Sequence, residues 1–75
     1  MSAKLPMLKA RNIIRVLNLL GFKKIRQKGS HIFFEHSYGR TTLVPSHAGE
    51  DISKGLLRQI LKELELTPEE FSDYL

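Results

Sequence analysis

Two stripes of apolar side chains at helical spacing bracket a central stretch broken by turns, and this alternation decides which folds are open to the chain. The first stripe runs Ile13, Ile14, Leu17 and Leu20, with Lys9, Arg11, Arg15 and Asn18 elsewhere on the wheel. It predicts a helix over about 9–20, ended by Gly21 in the left-handed region. No good capping side chain stands at its start. The second stripe, Leu56, Leu57, Ile60, Leu61 and Leu64, follows Ser53 as N-cap and predicts a helix over about 54–65. Between them lie three short segments of extended character. Phe22 to Lys28 alternates poorly, His31 to Glu35 is β-branched and aromatic, and Thr41 to Val44 is stopped by Pro45. Gly29-Ser30 and Tyr38-Gly39 supply the turns between them.

Amphipathic helices of this width need a sheet to bury against, and strands joined by such short turns pair as an antiparallel meander. The expected fold is therefore α+β. It is a two-layer sandwich in α-β-β-β-α order, with a three-stranded antiparallel sheet. A short helix at about 68–74 closes the chain: Thr67-Pro68-Glu69-Glu70 has the N-cap, N1 proline and N3 glutamate of a capping box. Residues 1–7 read as an arm and residues 46–52 as a polar loop. At 75 residues the chain has room for one domain, 1–75, burying about 60% of its unfolded surface. Cysteine is absent, so neither disulfides nor thiolate ligands supplement the core. The most apolar run, Ile13 to Leu20, is interrupted by Arg15 and Asn18, so neither a secretory leader nor a membrane span is expected. The expected location is the cytoplasm.

Charge is divided unevenly. Residues 1–40 carry nine basic residues against one acidic, Glu35, whereas residues 41–75 carry three against seven. A polyanion-facing side and a separate acidic side follow. Three histidines are the side chains suited to acid–base work near neutrality. His31 starts a strand directly after Gly29-Ser30, with Arg26 and Lys28 just upstream. Cations there would hold a phosphate and stabilise the charge that builds when a ribose 2′-oxygen attacks phosphorus. Lys24, Arg26, Lys28, Ser30 and Lys54 are the candidate RNA contacts. Lys54 lies where a helix N-terminus already favours an anion. His47, in the loop before the second helix, is the second candidate acid–base residue. His36 is weaker: five residues from His31, it points to the opposite face of a strand and opens a turn, where a solvent-exposed ring is usual. Phe33 and Phe34 could offer a base-stacking platform, but they are adjacent and face opposite sides of a strand, so at least one belongs in the core.

No metal is expected. His31 and His36 cannot chelate from opposite strand faces, and the adjacent Glu50 and Asp51 are better read as solvated loop carboxylates. No other cofactor is called for.

Several segments taken in order resemble one family. They are Leu20-Gly21-Phe22; Arg26-Gln27-Lys28-Gly29-Ser30-His31; Val44-Pro45 with His47 and Gly49; Lys54-Gly55 with Leu57 and Ile60-Leu61; and Thr67-Pro68-Glu69-Glu70-Phe71. Together these resemble the HicA-like toxins of type II toxin–antitoxin systems, from about Leu5 to Phe71. The resemblance implies a fold similar to double-stranded-RNA-binding domains. It also implies an mRNA interferase activity, an endoribonuclease whose functional histidine maps onto His31, and a HicB-type antitoxin as partner. Three positions depart from the family's habit: Ser37 stands where proline is common, Glu65 where glycine often ends the second helix, and Lys9 where Ser or Thr often starts the first. The competing expectation is a non-catalytic RNA-binding module of the same fold, which reads backbone shape and 2′-hydroxyls.

Overall fold

A computed structural model describes residues 7–46 and 49–75. The elements are β1 (Leu8–Lys9), α1 (Ala10–Leu19), β2 (Lys23–Lys28), β3 (His31–Glu35), β4 (Thr41–Pro45), β5 (Asp51–Ile52), α2 (Lys54–Leu64) and α3 (Pro68–Ser72). Strands β2, β3 and β4 form an antiparallel sheet in that order. This is the expected α+β architecture. No helix among the described residues is long and apolar enough to cross a membrane.

Helix α1 buries Ile13, Val16 and Leu17. It ends as glycine after an apolar stripe predicts: Gly21 takes φ +94°, and the Phe22 N–H donates to the Leu17 carbonyl at 2.9 Å. That ending turns Phe22 into the core, 6% exposed, before the strand begins. At the start of the helix the Lys9 N–H donates to Asn12 Oδ1 at 2.9 Å, so the third residue of the helix satisfies the backbone that Lys9 cannot cap. Helix α2 buries Leu57, Ile60, Leu61 and Leu64, and Ser53 Oγ accepts from the Leu56 N–H at 3.2 Å. In α3 both halves of the capping box form, and Phe71 is fully buried.

Alternation then sorts the sheet. Ile32, Phe34 and Val44 are buried in the same cluster as the apolar faces of α1 and α2, and Thr42, on the same side, is buried too. Both helices therefore cover one side of the sheet, and the opposite side stays open. Thr42, the buried polar residue, donates its hydroxyl to Glu63 Oε1 at 2.9 Å and ties β4 to α2.

Two features depart from expectation. The residues just before α1 and the end of the polar loop meet: Leu8 pairs with Ile52 and Lys9 with Asp51 as a short antiparallel ladder. Lys9 Nζ reinforces it by donating to the Gly49 carbonyl and pairing with Asp51 Oδ1, both at 2.8 Å. Strands of two residues have no periodicity to read, and this one forms from contacts distant in sequence. Strand β2 also carries a bulge at Ile25, where the register against β3 shifts between Lys24 and Arg26. Its poor alternation in the sequence goes with this bulge and with an edge strand exposed along its whole length.

Candidate active site on the open face of the sheet

The loop between β2 and β3 is two residues long, with Gly29 at φ +59° in its first position. A hairpin this tight fixes the register locally. Lys28 falls opposite His31, and Arg26 opposite Phe33. On the other flank of β3, Pro45 falls opposite His31 and Leu43 opposite Phe33. Residues opposite one another share a face, so the open side carries three rows. The first is Lys28, His31, Pro45; the second is Arg26, Phe33, Leu43; the third is Lys23, Glu35, Thr41. Successive rows are about 6.8 Å apart, two residues along a strand.

His31 and Lys28 are exposed, whereas Phe33 and Leu43 are half-buried. Phe34 is the ring that goes to the core, at 1% exposure. The Arg26 guanidinium lies over the Phe33 ring, 4.6 Å from its centroid. An imidazole flanked by two cations on a solvent-facing surface can meet a phosphodiester and exchange protons with its ribose.

The expected contact residues divide. Arg26 and Lys28 share the face of His31. Lys24 does not: beyond the bulge it lies opposite Phe34, on the helix side of the sheet edge, and donates to Gln27 Oε1 at 3.0 Å. Ser30 completes the turn, and its carbonyl accepts from the Ser46 N–H at 2.6 Å, holding Ser46 beside the turn that precedes His31. Lys54 is exposed in the first turn of α2. A cleft of about 170 Å³, lined by Pro45, Glu50, Asp51, Ile52, Ser53 and Leu56, brings that turn to the His31 end of the sheet. His47 lies outside the described residues.

His36 is not the solvent-exposed ring expected of a turn. It packs edge-on against Phe22 with ring centroids 5.2 Å apart, Tyr38 stacks on it at 4.9 Å, and its Nδ1 accepts from the Tyr38 N–H at 3.2 Å. Gly21 makes room for it: a Cβ there would sit 3.2 Å from His36 Nε2. The ring serves the hairpin end, on the far side of the sheet from His31's row. Asp51, read from the sequence as a solvated loop carboxylate, has its carboxylate paired with Lys9.

Of the two rings the sequence offers for base stacking, Phe33 is the one left on this face, as the strict alternation of His31-Ile32-Phe33-Phe34-Glu35 requires once Phe34 is assigned to the core. Leu43 and Pro45 beside it are residues that sequence reasoning missed; only the register of β4 against β3 brings them here.

The fold and this face define a small α+β protein with a basic, histidine-bearing sheet surface. The family model described as the HicA toxin of bacterial toxin–antitoxin systems matches residues 10–66. That span runs from the first residue of α1 past the end of α2, covers all three rows, and takes in more than half of the chain. The chain belongs to the HicA toxin family. No curated protein matches the sequence.

Proposed function

We propose that this toxin is an endoribonuclease that cleaves mRNA, with His31 as its acid–base residue and no metal in the reaction. His31 accepts the 2′-hydroxyl proton as that oxygen attacks the adjacent phosphorus. The bond to the 5′-oxygen breaks, and that oxygen takes up a proton as it leaves. The products are a 2′,3′-cyclic phosphate and a 5′-hydroxyl, so the first step consumes no water. Arg26 and Lys28 hold the phosphate and stabilise its extra negative charge; Ser30 and Lys54 contact the strand further out. His47 is the proposed second acid–base group, protonating the leaving oxygen. The single domain works in the cytoplasm, and a HicB-type antitoxin silences it by covering the open face.

The observation that carries the proposal is the row Lys28–His31–Pro45 on an exposed sheet face. Purified protein with His31→Ala is compared with the parent on a defined transcript, with and without EDTA. Loss of a positioned acid–base group lowers the rate about 10²- to 10⁴-fold, and the parent's products carry cyclic phosphate ends. Cleavage by the variant at the parent rate would end the proposal. A parent that binds RNA and leaves it intact would make the chain a binding module. Substrate with sulfur in place of the leaving 5′-oxygen needs no proton donor, so His47→Ala should slow cleavage of ordinary RNA and spare this one.

A further inference from the structure

The middle row of the open face has no role in the proton transfers. Phe33 is an aromatic side chain left half-buried on a solvent-facing surface, although its neighbour Phe34 reaches the core. Arg26 lies across it at 4.6 Å. A guanidinium resting on a ring is held flat, and its outer plane then offers a stacking surface. The row stands about 6.8 Å from His31 along the strand, comparable to the separation of a phosphate from the base of an adjoining nucleotide. Charge complements the same ligand. Arg26 and Lys28 flank the two rows, and the nearest carboxylate on this face, Glu35, lies one row further on, opposite Lys23.

We infer that Arg26, laid over Phe33, seats an unpaired base beside the phosphate held at His31, so that the substrate is single-stranded RNA. This rests on the ribonuclease function proposed for the same face. A flat sheet bearing an aromatic step takes splayed bases. In an A-form duplex the bases are stacked inside, and side chains cannot read the deep, narrow major groove. Arg26 then acts by stacking as well as by charge, and Phe33 is the residue that orients it.

The test uses the His31→Ala protein, which retains RNA without cutting it. Binding is measured by fluorescence anisotropy with three probes of one length: a labelled single strand, the same strand in duplex, and an abasic ribose-phosphate chain. Phe33→Leu removes the ring, and Arg26→Lys keeps the charge while losing the plane. Each should weaken single-strand binding about 5-fold or more, with an unchanged salt slope, while the abasic chain binds parent and variants alike. Tyr38→Ala removes the most exposed ring, 88% exposed and at the other end of the sheet, and should leave binding unchanged. Arg26 is exposed, so its variant keeps the measurement informative if Phe33→Leu fails to fold. The inference is overturned if Arg26→Lys binds the single strand as tightly as the parent, or if duplex binds as well as single strand. In both cases binding to RNA survives and the ribonuclease proposal stands. If the parent binds none of the probes, both fall together.

Discussion

Glu65 offers a test in which the sign of the effect has to be worked out. It follows α2 with φ 57° and ψ 40°, and it is the one non-glycine with positive φ among the described residues. The ending is well formed: the Leu66 N–H donates to the Leu61 carbonyl at 3.0 Å and the Glu65 N–H to Lys62 at 3.1 Å. A side chain in the left-handed region costs about 1–2 kcal/mol, which Glu65→Gly removes. Two effects oppose the gain. Glycine widens the unfolded ensemble by about 0.4–1 kcal/mol. The ion pair with Arg40 is lost, but its side chains are 50% and 61% exposed, and such pairs are worth about 0–1 kcal/mol with values near zero common.

The backbone wins. Glu65→Gly should stabilise the protein by about 0.5 kcal/mol, raising Tm by about 2–4 °C for a domain of this size. Glu65→Ala loses the pair and keeps the strain, so it should melt at or slightly below the parent. Thermal unfolding followed by circular dichroism reads the order glycine, glutamate, alanine. A glycine variant that melts below the parent would show that the Arg40 pair, not the backbone, governs this helix end.

Three further outcomes are expected. Phe71→Ala empties a fully buried aromatic site and should cost about 3–5 kcal/mol, much of the stability available to a small domain, as read by urea unfolding. Thr42→Val keeps the shape but removes the donor to Glu63, whose carboxylate can turn to water, so the loss in the same assay should be near 1 kcal/mol. Lys28→Ala should weaken RNA binding across sequences and lower the salt slope by about one, because a phosphate contact carries no sequence information; an unchanged slope would remove Lys28 from the site.

Much of this arrangement is legible in the sequence because the governing interactions are local. The capping box at Thr67, the Gly21 helix ending, the strand His31–Glu35 and the Ser53 cap each depend on residues within a few positions. What escaped depends on distance. The β1–β5 ladder and the Lys9 bonds to Gly49 and Asp51 join segments some forty residues apart, and nothing in either segment alone announces them. His36 was misjudged for the same reason. Its partial burial depends on Phe22 and on the space above Gly21 as well as on Tyr38 of its own turn.

The candidate site divides along the same line, and the bulge shows why. Counting by twos from Lys28 gathers Lys28, Arg26 and Lys24 on one face, which is what a period-2 reading of β2 expects. The two-residue turn guarantees the first two, because Lys28 opposite His31 forces Arg26 opposite Phe33. Ile25 then inserts an extra residue, and the parity of everything upstream reverses. Lys24 leaves the face and Lys23 takes its place, opposite Glu35. A basic strand that looked like three cations for one phosphate is thus two cations beside His31, plus a third, Lys23, set opposite the carboxylate on this face. The charge available to hold a substrate is thereby concentrated at the end of the sheet where the histidine stands. A period-2 count therefore places each cation correctly only between the turn and the bulge.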